Sequence, residues 1–201
     1  MAVRVVFATG NAHKVGEVQQ ILDSAGADIE VLSLAAWPDA PTPVEDGTTF
    51  AENALIKARA IAAHTGLPAI ADDSGLCVDA LNGMPGIYSA RWSGTHGQDL
   101  ENVRLLLAQV QDVPVARRGA HFLCAAALVT PQGLERVVEG TIDGVLTTEP
   151  AGSGGFGYDP IFRPHGYEVT TAELEPEHKN AISHRGAAFR ALAPVILDAL
   201  S

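Results

Sequence analysis

The chain has 201 residues, 47% apolar and 18% charged, a globular composition rather than a disordered one. It is long enough to bury a core without disulfides or a structural metal, as one domain or one domain pinched into two lobes. A formal net charge of −11 argues against tight binding to a nucleic-acid backbone, so any polyanion site must gather its few cations locally or recruit a divalent metal.

Residues 3–8 (VRVVFA) form a β-branched strand pattern that ends in the turn triplet Thr9-Gly10-Asn11. A helical pattern follows, with Val15, Val18, Ile21 and Leu22 on one face and Gly26 as its stop. Residues 29–34 read as a second strand, followed by a loop containing Pro38, Pro41 and Pro43. A helix is expected from Thr48 or Thr49, with Glu52 placed for a capping box, to about His64, closed by Gly66. Residues 68–72 read as a short strand that breaks at Asp72-Asp73-Ser74-Gly75, with irregular chain onward to Gly97. A helix over 98–110 and two strands over 120–130 and 134–142, joined by Pro131-Gln132-Gly133, come next. A glycine-rich loop at 152–157 precedes a last helix from about His184 to Leu200, whose Phe189, Leu192, Val195 and Ile196 share a face. No internal repeat is present. Strands followed by tight turns and helices indicate an α/β fold in a single domain spanning 1–201.

Cys77 and Cys124 lie in apolar company and have no zinc-like spacing, so two buried, reduced thiols are expected. No apolar run approaches the ~20 residues of a bilayer span, and no signal-peptide cleavage pattern is visible. A cytoplasmic protein with neither membrane nor nucleic-acid partners is the resulting expectation.

Five clusters could carry chemistry. Thr9-Gly10-Asn11-Ala12-His13-Lys14 opens a helix, where free N–H groups, the helix dipole and Lys14 suit an anion. A plain turn with a solvated lysine fits the same six residues, and the spacing is not that of a Walker loop. Asp72-Asp73 could hold a hard divalent ion or activate water, or cap a strand as an Asx-turn. Glu45, before the capped helix, could complete a metal site with Asp73. In that helix, which also carries Asn53 and Lys57, Glu52 serves equally well as a capping acid. Gly152 to Gly157 contains a literal GxGxxG, but Pro160 and a β-like Ile161-Phe162 follow, which opposes a dinucleotide fingerprint. A loop that approaches a ligand closely, with Phe156 or Tyr158 stacking on a base, is the better functional reading, beside that of a flexible surface loop. Lys179, His184 and Arg185 concentrate cations near the last helix start, against its dipole, where they could meet phosphate or a base carbonyl.

The chain resembles the Ham1/RdgB family of non-canonical purine nucleoside triphosphate pyrophosphatases, also called inosine triphosphate pyrophosphatases. The markers stand in family order from Val5 to about Arg190: TGNAHK at 9–14, EDGTTFAENALIKA at 45–58, ADDSGL at 71–76, PGIYSARW at 85–92, SGGFGYDPIF at 153–162 and KNAISHRG at 179–186. The resemblance implies an elongated mixed sheet flanked by helices, two lobes with the active-site cleft between them, and a homodimer. It implies that Thr9, Gly10, Asn11, Ala12, His13 and Lys14 hold the triphosphate and that Ser74 contacts substrate. It implies Asp73 as general base, and Asp73 with Glu45 as ligands of Mg2+. Phe156, Gly157, Tyr158 and Asp159 would frame the base, and Lys179, His184 and Arg185 would close around it.

The expected reaction is hydrolysis of ITP, dITP or XTP to the monophosphate and pyrophosphate. Asp73 would activate water for attack on the α-phosphorus, and Lys14 would stabilise charge on the leaving group. A related pyrophosphatase acting on pyrimidine or modified nucleotides is the nearest competitor, and a nucleotide sensor without turnover is the competitor from another class. Asp73, Glu45 and Lys14 together oppose the sensor, because binding alone needs no water-activating carboxylate.

Overall fold

The computed structural model describes residues 2–200. Seven strands form one mixed sheet in the order β2-β1-β3-β5-β6-β7, with β4 paired to β3. The strands are β1 (Val3–Phe7), β2 (Ile29–Ser33), β3 (Ala69–Val78), β4 (Met84–Pro85), β5 (Gly119–Val129), β6 (Glu135–Leu146) and β7 (Phe162–Pro164). The helices are α1 (Ala12–Ser24), α2 (Phe50–Thr65), α3 (Asp99–Gln109), α4 (Pro176–Ile182) and α5 (His184–Leu200). The expected α/β class and its mixed sheet are therefore present. Among the described residues no helix is long and apolar enough to cross a membrane.

The chain divides into two compact units. Unit 1 comprises residues 1–73, 124–140 and 184–201, and unit 2 comprises 74–123 and 141–183.

In unit 1, β1 runs parallel to β2 (Val5 opposite Val31) and to β3 (Phe7 opposite Ile70). Strands of this kind are buried on both faces, which explains the buried apolar run Val5-Val6-Phe7 of β1. Its core gathers Val5, Phe7, Leu22, Ile70, Leu128, Phe189, Leu192 and Ile196. Phe7 and Phe189 meet edge to face at 5.6 Å, a favoured arrangement of aromatic rings. The expected spacings of α1 and α5 fill this core with Val18, Ile21 and Leu22 and with Phe189, Leu192 and Ile196.

Helix α2 begins as its sequence dictates. Thr49 accepts from the Glu52 amide at 3.1 Å, a cap worth about 1 kcal/mol. The Glu52 carboxylate accepts from the Thr48 amide and hydroxyl at 2.6 and 2.8 Å, one residue earlier than a regular capping box. These Thr48 contacts hold its carboxyl below the usual range. Gly66 closes the helix at φ 66°.

Unit 2 has its own core of Leu76, Val78, Val103, Leu106, Phe122, Leu146, Tyr158, Ile161 and Phe162. Arg118 is buried there, and donates to the carbonyls of Val113, Thr147 and Gln111. It satisfies the backbone that follows α3.

Three sequence expectations change. The Asp72-Asp73-Ser74-Gly75 stretch does not break β3, which runs on to Val78. Strand β6 extends to Leu146 rather than 142. A short helix not expected from the sequence, α4, opened by Pro176, carries Lys179 just ahead of α5.

Candidate active site

Strand β1 ends at Phe7, and the turn is fixed by Ala8 N–H donating to Ile70 O at 2.8 Å and Asn11 N–H donating to Thr9 Oγ1 at 3.2 Å. Helix α1 starts directly after it, so Thr9, Gly10 and Asn11 sit at a helix N-terminus, as anion sites require. The side chains of Ala12 and His13 lie outside the described residues. A pocket of about 230 Å³ opens beside the turn; its polar wall is Thr9, Gly10, Lys14, Thr42, Glu45, Lys57 and Asp72, and Ala8, Leu34, Pro41, Pro43 and Ile61 complete it. The proline loop thus has a place in the site that its sequence did not suggest.

The two adjacent aspartates act differently because successive strand residues point to opposite faces of a sheet. Asp72 is 4% exposed and meets Lys14 Nζ at 3.5 Å and Arg185 Nε at 3.1 Å. Burial alone would raise its pKa, but the Lys14, Arg185 and Lys57 charges outweigh it and hold the carboxyl well below the usual range. Arg185 in turn donates to Glu17 at 3.0 Å. Burial disfavours its charge as well, and Asp72 and Glu17 more than restore it.

Asp73 faces α2. Asn53 Nδ2 donates to Asp73 Oδ2 at 3.1 Å, and Lys57 Nζ lies 3.6 Å from Asp73 Oδ1. The same lysine lies 3.3 Å from Glu45 Oε1. Asp73 is raised from its ordinary carboxylate value: burial is the main cause, and Lys57 and Asn53 only partly oppose it. A carboxylate with raised basicity that stays accessible suits proton acceptance.

Asn53 also accepts from Gly47 N–H at 2.9 Å. It therefore ties the backbone beside Glu45 to the Asp73 carboxylate. Gly47 permits this close approach, since a Cβ there would stand 2.7 Å from Asn53 Oδ1. Asn53 and Lys57 are four residues apart on α2, which places them on one helix face.

Among the described residues no group of three metal-ligating side chains converges. Glu45 and Asp73 nevertheless offer a hard-oxygen pair on one lysine. Magnesium needs no more protein than this when phosphates and water complete its shell, so the donor set fits the expected ion. Asp72 is committed to its cations and is not part of that pair.

Unit 2 builds the other candidate cluster. Asp159 accepts from Phe156 N–H at 2.8 Å and Thr171 Oγ1–H at 2.9 Å, and it forms an ion pair with Lys179. Lys179 Nζ also lies 4.9 Å from the Phe156 ring centroid, a cation–π contact. Gly157 N–H donates to Asp99 Oδ2 at 2.8 Å, anchoring the loop from the start of α3. Gly155 adopts φ 72° where an added Cβ would stand 2.8 Å from Lys179 Nζ.

Of the two rings proposed for stacking, Phe156 is 60% exposed, while Tyr158 is 4% exposed and donates its hydroxyl to Ser89 O at 2.9 Å. Tyr158 is a core residue, and burial pushes its phenol up. The GxGxxG glycines lead into a 3-10 turn at Asp159–Ile161 and then β7, not into a helix, which agrees with rejecting a dinucleotide fingerprint.

The site residues thus sort by unit. Thr9, Gly10, Asn11, Lys14, Glu45, Asp73, His184 and Arg185 belong to unit 1, and Ser74, Phe156, Gly157, Tyr158, Asp159 and Lys179 belong to unit 2. Ser74 is partly exposed on β3, and His184 is partly buried at the first position of α5. Arg185 is buried on Asp72 and Glu17. Sequence reading missed the roles of Lys57, Asn53, Glu17, Asp99 and Thr171. The four-residue spacing of Asn53 and Lys57 was the one available signal. Both cysteines are buried, as expected, and burial pushes both thiols up, most strongly Cys124.

A model of the Ham1 family matches residues 5–195. The chain is 59% identical to the dITP/XTP pyrophosphatase of Streptomyces coelicolor over 197 residues, 98% of each protein. A solved structure described as a nucleoside-triphosphatase / dITP/XTP pyrophosphatase from Mycobacterium abscessus is 53% identical, with TM-score 0.80, covering 96% of this chain and 100% of that one. A HAM1 protein from Coxiella burnetii is 39% identical, with TM-score 0.89, covering 98% and 99%.

Proposed function

The chain belongs to the Ham1 family, and from that premise we propose that it hydrolyses the non-canonical purine nucleoside triphosphates ITP, dITP and XTP to the monophosphate and pyrophosphate, with Mg2+ as cofactor and as a homodimer. The observation that carries the reading is the division of labour on β3: Asp72 is buried on two cations, while Asp73, raised by burial, meets Lys57, the lysine it shares with Glu45. Its biological effect would be to cleanse the nucleotide pool.

The triphosphate occupies the unit 1 pocket, where Thr9 and Gly10 of the helix-opening turn form one wall and Lys14 and Lys57 supply charge. At about 230 Å³ the pocket is below the ~300–1,000 Å³ of whole-ligand sites, which suits phosphates rather than an entire nucleotide. Glu45 and Asp73 would hold magnesium, which would neutralise phosphate charge. Asp73 accepts a proton from the attacking water. The water oxygen bonds to the α-phosphorus as the bond to the pyrophosphate oxygen breaks, and Lys14 stabilises the charge left on that oxygen.

Base selection falls to unit 2. Lys179 has three N–H donors, and Asp159 takes one of them. The others suit the 6-oxo group of hypoxanthine or xanthine, while Phe156 offers its exposed ring for stacking. The amino group of adenine would leave such a donor unmatched, at about 1–3 kcal/mol; guanine shares the 6-oxo group, so its rejection must act at the 2-amino position.

The test is turnover of ITP, dITP, XTP, ATP, GTP and UTP with magnesium, reading pyrophosphate and orthophosphate separately. Pyrophosphate released from the first three, with little from the others, is the expected result. Orthophosphate release, or binding without turnover, would overturn it.

A further inference from the structure

The position of Lys57 carries an inference about how metal enters the site. Lys57 Nζ is bracketed by Glu45 Oε1 at 3.3 Å and Asp73 Oδ1 at 3.6 Å, with its side chain only 16% exposed. Those two carboxylates form the proposed metal pair, so one ammonium stands where a divalent ion would bind. Asp73 does not depend on Lys57 alone for its placement, and the backbone beside Glu45 is tied down separately. Asn53 holds Asp73 Oδ2 from one turn earlier on α2 and fixes the Gly47 backbone beside Glu45. The lysine is thus a counter-cation in a cradle that other contacts already shape.

We propose that Lys57 is a built-in stand-in for the metal: it competes with free divalent cations for Glu45 and Asp73, so that the ion enters efficiently only together with a triphosphate, whose oxygens receive the displaced ammonium. Two carboxylates cannot fully serve an ammonium and a divalent ion at once, because the two cations repel each other at contact distance. Lys57 and Lys14 line the same pocket, so phosphate oxygens there offer the ammonium a new acceptor within reach of its flexible stem. Without phosphate the other carboxylate near the ammonium is Asp72, which Lys14 and Arg185 already share, and metal uptake must break both ion pairs. This proposal rests on the reading of Glu45 and Asp73 as the metal pair.

The test is direct titration of the full chain with Mn2+, following free Mn2+ by electron paramagnetic resonance, with no nucleotide present. K57M is expected to bind Mn2+ about tenfold or more tightly than the unsubstituted protein, given the charge removed at contact distance. K57Q, which is neutral but can still hydrogen-bond the carboxylates, is expected to follow K57M. Adding E45Q to K57M should abolish the gain, and thermal melts report whether each variant is folded. With the non-hydrolysable α,β-methylene analogue of ITP present, the order should reverse, the unsubstituted protein taking up Mn2+ more tightly than K57M. If neither neutral variant gains affinity while the unsubstituted protein takes up Mn2+ with the analogue, the stand-in role is overturned and the metal pair stands. If no form binds Mn2+ with or without the analogue, both readings fall.

Discussion

Neutralising the two adjacent aspartates one at a time should move stability in opposite directions. D72N leaves Arg185, 3% exposed, with Glu17 as its carboxylate partner at 3.0 Å and with its Asp72 ion pair gone. Breaking one side of a buried ion pair costs about 3–5 kcal/mol. The surviving Glu17 pair places this case near the lower end, about 3 kcal/mol. For a chain of this length each kcal/mol lowers Tm by about 2–4 °C, so the melting point should fall by roughly 6–12 °C. D73N is different. The folded pKa of Asp73 is raised, so its contribution to stability is complete below the unfolded carboxylate pKa and is lost as pH rises through the folded value. At pH 7 the charged Asp73 therefore costs stability, and D73N should raise Tm. Calorimetric melts of both variants and the parent at pH 7 decide the matter. Equal destabilisation by both, or a neutral D72N, would refute the assignment of one aspartate to structure and the other to chemistry.

D73N should also lower turnover of ITP by about 10²-fold or more, the range of a lost general base, while nucleotide binding persists by calorimetry. Substituting the exposed ring, F156A, should weaken ITP binding roughly tenfold, since base–aromatic stacking contributes about 1–3 kcal/mol; an unchanged KM would exclude Phe156 as the stacking ring. Y158F removes a buried hydrogen bond to Ser89 and should lower Tm by about 2–4 °C, for about 1 kcal/mol lost, with KM unchanged. Acid denaturation should draw on Asp72: its folded pKa is depressed, so its stabilisation is complete above the unfolded value of about 3.9 and is lost as pH falls through the folded one. The stability of D72N, followed by circular dichroism between pH 5 and pH 2 (roughly the window in which Asp titrates), should fall less steeply than that of the parent.

The sequence reading placed β1, α1, α2, α3, β5 and α5 well because each carries a local signal: apolar period, an N-cap at Thr49, a stop at Gly66. It failed where the cause lies far along the chain. Asp72-Asp73-Ser74-Gly75 has the composition of a turn, yet β3 continues through it. The charge of Asp72 is balanced by Lys14, 58 residues away, and by Arg185, 113 residues away, and no local pattern encodes those partners. The same distance explains Arg185, whose place at a helix start opposes the dipole; Asp72 and Glu17 offset that cost. Helix α4, which carries Lys179, is too short for a periodic signal, and Pro176 is the one local mark of its start. Tyr158 and Phe156 are indistinguishable by sequence, since burial alone separates them.

The cations of the candidate site share a further property, which bears on selectivity. Lys14, Lys57 and Lys179 each contact a carboxylate within their own unit: Asp72, the Glu45–Asp73 pair and Asp159. In a chain of net charge −11, such pairing removes the loose positive surface that would attract any polyanion. A phosphate chain gains little from these lysines unless it brings compensating positive charge or displaces a carboxylate contact. A metal-complexed triphosphate does the first, and a base with a 6-oxo acceptor can engage the donors that Asp159 leaves on Lys179. Free polyphosphate lacking metal, and nucleic acid lacking a terminal triphosphate, meet neither condition. The acidic background and the paired lysines thus act together as a filter ahead of the chemistry. Inhibition of ITP turnover by inorganic triphosphate should accordingly require magnesium, and equal inhibition in excess chelator, measured as nucleotide displacement, would contradict this account of the pairing.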